Sequence, residues 1–424
     1  MLPKLTQLLE ENRPRVDEYQ RKQRLERRRC RANELLGEFS KEKDPYQSIV
    51  RALQRPALET GVTDFPMRAP DLRAPFPSHR VIGKWDFLVN LFTEENPLER
   101  VDELFNERRD MISQQLLEWR TKVEDQLVNQ YISSFVEATR SSLNTVLSVK
   151  GRTDATKDLS HKTRFLLRAD TVFVESEEGL CFTEIDNEHG PISRSIHFPK
   201  MSPIQNYPFL QGRSFELDPD RDAKELGLYV RHAGKEAIVK ALLKELGMPD
   251  AAHVEMVHMV RVFICGRCNH SEARTWHEMV EHYHIRTRDW VNGKSVRSIF
   301  TAKYPVVHRN IHDIQPGTIS QPLVRIGADT HTSFNPIVQC LICRWNERFE
   351  SYSFDSLDKA RQHMLEVHDT PEPVEGVHYM PQSQLGDVRS ILRAGLDDRV
   401  EWEKKWDEYH DFGSVKKHKV KPAI

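Results

Sequence analysis

The chain has 424 residues, 38% hydrophobic and 30% charged, enough for two or three domains with ordinary cores and much exposed helix. Its formal net charge of −2 supplies no global field toward nucleic acid, and no apolar run approaches the roughly 20 residues of a membrane span. The first eleven residues include Lys4, Glu10 and Glu11 and lack the apolar stretch of a secretory signal. With six cysteines in all, metal ligation in a reducing compartment is expected in place of disulfides.

Residues 1–55 read as a basic helical segment, with a helix over 3–39 broken near Pro14. Arg13 to Arg31 holds nine basic residues against three acidic ones. Such a run is first a solvated helix face, and alternatively a nuclear-import or nucleic-acid patch, as is Lys416 to Lys421 near the other end. Residues 56–84, with Pro56, Pro66, Pro70, Pro75 and Pro77, read as a Pro-rich linker with little regular structure.

Residues 85–150 form a long amphipathic helical region. Trp85, Leu88, Leu91 and Phe92 make one apolar stripe. After Pro97, the residues Leu98, Val101, Phe105, Ile112, Leu116, Trp119, Val123 and Leu127 recur at helical spacings, predicting one helix that reaches toward Leu147. Antiparallel packing on the N-terminal helix is the plain account, and a homodimeric coiled coil the alternative.

Residues 160–250 read as an α+β region, with short strands and turns over 164–215 and a helix over 234–246 that buries Ile238, Leu242 and Leu246. Gly247 and Pro249 are its stop signals. Within it, Val172-Phe173-Val174-Glu175-Ser176-Glu177-Glu178 looks like a degenerate copy of a phrase found twice further on, with glutamate where each cysteine would stand. Carboxylates replace thiolates poorly, so this copy is expected to be metal-free, with Val172 and Phe173 filling a core.

The intact copies carry the chemistry. In residues 251–335, Val262-Phe263-Ile264-Cys265-Gly266-Arg267-Cys268 leads to the His-rich stretch Trp276 to His284. In residues 336–372, Val338-Gln339-Cys340-Leu341-Ile342-Cys343 leads to His363 and His368. A C-x2-C knuckle aims two thiolates at one point, and histidines on a following helix can complete a tetrahedral zinc site. For the second copy, Ser356 caps a helix through His368, while Phe354 and Ala360 occupy small-core positions. The 19 residues between Cys343 and His363 exceed the usual 12 or so, which an enlarged hairpin with Trp345, Phe349 and Tyr352 can absorb. For the first copy, the capping box of Thr275 and Glu278 starts a helix at Trp276 and makes His282 the natural third ligand. The fourth is open: His277 in the first turn, His284 if the helix ends there, or more remotely His308 or His312.

The helix from Gly234 to Leu246, the phrase Val260 to Cys268 and the segment Trp276 to His282 resemble a group of uncharacterised fungal proteins with irregular C2H2-like knuckles, some of them F-box proteins. The resemblance covers roughly residues 160–370 and implies zinc binding. Residues 1–60 show no F-box, which weighs against a ubiquitin-ligase adaptor.

More than 70 residues separate Cys268 from Cys340, whereas groove-reading fingers follow one another closely. Asp355, Asp358, Lys359 and Gln362 stand where bases would be met, and two carboxylates there oppose phosphate. No G-x-G-x-x-G, P-loop or G-x-S-x-G motif occurs, and a non-enzyme is expected. Residues 373–424 read as a helical tail with a basic end, in which Trp402, Trp406 and Tyr409 keep helical spacing.

The sequence therefore predicts a helix-rich α+β protein, with long N-terminal amphipathic helices followed by small C2H2-like zinc modules. The expected role is an intracellular zinc-binding interaction or regulatory scaffold with a protein partner, in the nucleus more than the cytoplasm. A DNA-binding transcriptional regulator is the alternative, and neither a membrane nor a small-molecule substrate is expected.

Overall fold

The computed structural model describes residues 2–54, 72–77, 79–93, 98–133, 144–175, 195, 197–199, 229–267, 272–294, 298, 307–317, 319–327, 337–346, 353–381 and 404. Among these the chain is helix-rich, with small antiparallel sheets, as an α+β reading requires. No helix among the described residues is long and apolar enough to cross a membrane.

Helix α1 (Leu2–Glu42) runs through Pro14 without the expected break. The ring removes one backbone hydrogen bond, and the carbonyl it orphans belongs to Glu10 on an exposed stretch where water can serve it. Residues 12–24 are all exposed, and burial begins with Arg28, Ala32, Leu36 and Phe39. The basic run is thus not uniformly solvated: Arg28 is buried and donates to the Leu91 carbonyl (3.4 Å). Short helices α2 (Gln47–Gln54), α3 (His79–Ile82) and α4 (Asp86–Thr93) follow. The described end of the Pro-rich stretch is no loose linker. Leu72 and Ala74 are buried, Asp44 Oδ1 accepts from the Ala74 amide (3.2 Å), and Arg120 Nε donates to the Pro75 carbonyl (2.8 Å).

The single long helix expected from residue 98 is two: α5 (Leu98–Glu107) and α6 (Arg109–Ser133), broken at Arg108. Residues 134–143 lie outside the described residues. Along α6, Ile112, Leu116, Trp119, Val123, Leu127, Val128 and Tyr131 are buried, each large side chain contributing about 2 kcal/mol of hydrophobic stabilisation. The partner of α1 is α5, but not antiparallel. Arg31 bonds Asp102 (2.7 and 2.9 Å), Phe39 meets Phe105 edge-on (6.0 Å) and Glu42 pairs with Arg109, so contacts advance together along both helices. Helix α4 meets α1 at Arg28, through Leu91, just ahead of the Arg31 and Asp102 contact with α5.

Helix α7 (His161–Leu167) occupies part of the stretch expected to be strands. The Ser160 side chain accepts from the Thr163 amide and caps it, while Phe165, Leu166 and Leu167 are buried. Strand β1 (Phe173–Glu175) then pairs antiparallel with β2 (Tyr229–Arg231). Val172 and Phe173 of the degenerate knuckle are fully buried, whereas Glu178, Cys181 and His189 lie outside the described residues. Tyr131 joins this sheet to the helical layer: its ring meets Phe165 and Phe173 edge-on at 5.2 and 5.3 Å, and its hydroxyl donates to Glu236 (2.8 Å).

A second core gathers helix α8 (Ala233–Glu245), helix α9 (His253–His258), strands β3 (Phe263–Cys265) and β4 (Val324–Ile326), and helix α10 (Trp276–Asn292). Ile238 and Leu242 face it as expected, and Gly247 at φ +70° ends the helix. The last module places β5 (Val338–Cys340) between β6 (Ser353–Phe354) and β7 (Tyr379–Pro381). Helix α11 (Leu341–Asn346) follows β5, and α12 (Leu357–His368) packs Ala360 and Met364 against the strands. The third strand lies beyond residue 372. The connection from β5 to its antiparallel neighbour β6 opens with α11; Phe349 and Tyr352 lie outside the described residues.

Candidate metal centres

Two groups of Cys and His side chains are positioned to bind a metal ion: Cys340, Cys343, His363 and His368, and Cys265, His282 and His312. In each, one ligand atom per residue lies within 4.8 Å of all the others, and every member is buried.

The first group comes from two local elements. Strand β5 delivers Cys340 at its last residue, and the turn into α11 brings Cys343 back, its amide 3.5 Å from the Cys340 sulfur. Ser356, accepting from the Lys359 amide, starts α12 so that His363 and His368 face the knuckle. Asp369 at φ +53° ends the helix directly after His368. Cys343 Sγ lies 3.3 Å from His363 Nε2 and 3.2 Å from His368 Nε2, and Cys340 Sγ lies 3.5 Å from His368 Nε2. Bonds of about 2.0 to 2.3 Å to a tetrahedral ion put neighbouring ligands about 3.3 to 3.8 Å apart, so these four atoms already stand near that spacing. Burial raises the Cys340 thiol, but the hydrogen bond with Cys343 and the His368 and His363 rings outweigh it and hold the thiol well below its ordinary range. Thiolate is the form that binds metal.

The outer side of His368 is also fixed. Its Nδ1 lies 3.1 Å from the Val307 carbonyl, an oxygen that can only accept, so Nδ1 carries a proton, and Nε2 is the nitrogen that would give up its own proton and turn its lone pair to a metal. His308 Nδ1 sits 3.3 Å from the same nitrogen. His308, weighed as a remote ligand of the other centre, is therefore an outer contact of this one.

The other group forms at the end of β3, where Cys265 is fully buried. Thr275 and Glu278 form the predicted capping box, and α10 presents Met279, Val280 and Tyr283 to the core and His282 to Cys265. His282 Nε2 lies 3.1 Å from His312 Nε2. Tyr283 closes one side, its hydroxyl donating to the Leu323 carbonyl (2.6 Å) and lying 3.6 Å from the Cys265 sulfur. Burial pushes the His312 pKa down, the state a metal ligand needs. Cys268 lies outside the described residues.

His277 and His284 are not brought to this group. The expectation for His284 required α10 to end there, but the helix continues to Asn292, and positions 277, 281 and 284 line a different face. On it, Glu281 pairs with the fully buried Lys235 (2.5 Å) and His284 meets His232 edge-on at 4.9 Å. Burial, Lys235 and Arg288 push His284 down to about 4. His277 lies near the stacked pair His197 and His253, whose centroids are 3.6 Å apart. The ligand favoured least in the sequence, His312, takes the place given to these two. Its one mark in the sequence is the i, i+4 spacing from His308, in a stretch that forms neither helix nor strand.

The chain matches no family model, no curated protein and no solved structure.

Proposed function

We propose that the chain is a zinc-dependent interaction scaffold, in which two structural zinc ions hold small modules on a helical body. One observation carries this reading: Cys340, Cys343, His363 and His368 form a closed two-thiolate, two-imidazole donor set of which no member is more than 6% exposed. That donor set suits zinc, and a structural site lacks the open position a catalytic ion keeps.

A protein partner fits this arrangement better than a DNA groove. Helix α12 spends its expected base-reading positions internally: Lys359 pairs with Asp355 (2.6 Å), and Gln362 bonds Ser320 (3.1 Å) and Glu366 (3.0 Å). The exposed end of α1, residues 12–24, offers Arg13, Arg15 and Arg24 to an acidic protein surface.

The test is elemental analysis of the full chain purified without chelator, which should give about two zinc ions per chain, and about one after Cys343→Ser. Absence of metal from the parent protein sinks the reading. Selection from random DNA duplexes at near-physiological salt should enrich no motif. A motif lost on Lys359→Ala would replace the protein-scaffold part with DNA reading.

A further inference from the structure

The two centres share one piece of chain. Val307 and His308 touch the Nδ1 of His368, and four residues after His308 the same strand of backbone delivers His312 to Cys265 and His282. From residue 307 to residue 312 even a fully extended chain spans no more than about 17 Å.

This stretch is fastened at both ends. Toward the Cys340 centre, the Arg309 amide donates to the Val367 carbonyl (3.0 Å) and the Arg309 guanidinium to the Glu366 carbonyl (2.8 Å). Ile311 packs with Val367 and Ile319 in a small apolar cluster of its own. Toward the Cys265 centre, the buried Arg267 guanidinium donates to the Ile311 carbonyl (3.4 Å), while within the stretch itself Asn310 Oδ1 accepts from the His312 amide (3.0 Å). Helix α10 grips it twice, because Trp290 stacks flat on His308 (5.2 Å, 8°) two turns beyond His282, which meets His312.

We infer that residues 307–313 are a strap that makes metal binding at the two centres cooperative, with Val307 and His308 as positioning groups for His368. The inference rests on the reading that both groups hold metal. A metal on Cys265, His282 and His312 pins the strap, so the carbonyl and imidazole that orient His368 are in place before the other ion arrives. The ordering entropy of the strap is then lost once, not twice, which is positive coupling without any contact between the ions. Coupling of binding free energies is reciprocal, so each ion must tighten the other by the same factor.

The experiment uses the full chain, stripped of metal and titrated with Co2+ and then Zn2+ against a competing chelator. Thiolate-to-cobalt absorption reports each site. Coupling of about tenfold is the expected scale. In His312→Ala, the affinity of the Cys340 centre should fall about tenfold, and in Cys343→Ser the affinity of the Cys265 centre should fall by the same factor. His308→Ala keeps every ligand and should reproduce the loss while leaving the cobalt spectrum of the Cys340 centre tetrahedral. His308→Asn, whose side-chain oxygen can replace Nδ1 as acceptor, should restore most of it, an outcome that a merely unfolded variant cannot give. In His308→Ala/Arg309→Ala, adding His312→Ala should cause no further loss. Two centres that both fill in the parent protein, with the centre whose ligands are untouched changing by less than twofold in all these variants, would overturn the strap while leaving the metal reading intact. No cobalt uptake by the parent protein would remove both.

Discussion

His282 and His312 are thirty residues apart in sequence, yet their Nε2 atoms lie 3.1 Å from each other beside the Cys265 sulfur. One is held by a capped helix and the other by an irregular stretch fastened to a different module. The pairing sets the Cys265 centre between two parts of the chain, where a finger-like knuckle would keep its ligands on one hairpin and one helix.

Ligand substitution separates this arrangement from the one the spacing suggested. His312→Ala should lower zinc content by about one ion per chain, since a site that loses a buried ligand loses much of its affinity. His277→Ala and His284→Ala should leave the content unchanged. Metal analysis after gel filtration decides it, and loss of an ion from His277→Ala with full retention in His312→Ala would reverse the assignment.

Gly266 gives a sharper test of the knuckle. A Cβ there would stand 2.0 Å from the Pro322 carbonyl oxygen, and the contact is with backbone that β4 holds in register. The Gly266 amide also donates to the Leu323 carbonyl (3.0 Å). Gly266→Ala must push these strands apart, at a cost of at least about 2 kcal/mol, and so weaken metal binding at Cys265 more than at Cys340. Equal cobalt affinity at the Cys265 centre in parent and variant would show that the strand can move freely.

How much of this was legible follows the range of the signals. The Cys340 centre could be read almost residue by residue, because its ligands lie on one strand end and one helix whose cap, Ser356, is a local feature. Thr275 and Glu278 likewise fixed the start of α10. Helix α7 was misread, since Phe165-Leu166-Leu167 is too short a run to show a period and only the Ser160 cap marks it. The direction of α5 along α1 and the placement of His312 depend on how distant segments return, and periodicity carries no information about that.

Arg168 is the buried charge whose loss should be felt most. Its side chain is 3% exposed, bonds Asp170 in a fork (2.7 and 3.1 Å), and reaches Asp250 (2.9 Å) and the carbonyls of Pro249 (2.9 Å) and Val146. Arg168→Met should destabilise by roughly 3 to 5 kcal/mol, because Asp170 stays buried without its cation. Arg168→Met/Asp170→Leu should recover much of that, since removing both charges avoids the orphan. Urea unfolding of the three proteins measures it, and a double variant no better than the single one would mean that the links to residues 146 and 249–250 matter more than the charge pair.

Glu255 gives a pH prediction with a definite sign. It is 4% exposed, Oε1 accepts from the Lys150 amide (3.0 Å), and Oε2 has no hydrogen-bond partner among the described residues. Burial, only partly offset by Lys150, pushes its pKa up from 4.5 to about 7. The folded protein thus binds this proton more tightly than the unfolded chain does. Its stabilising contribution is complete below about pH 4.5 and is lost as the pH rises through about 7, where a desolvated carboxylate must be carried. Glu255→Gln keeps the acceptor and removes the titration, so near pH 5 parent and variant should differ by less than about 1 kcal/mol. By pH 8 the variant should be more stable by up to about 3 kcal/mol. Urea midpoints measured at saturating zinc isolate the effect, because the pH dependence of metal binding is common to both proteins and cancels in the difference. A difference that stays constant from pH 5 to 8 would show that Glu255 is ionised throughout, with solvent or a cation reaching Oε2.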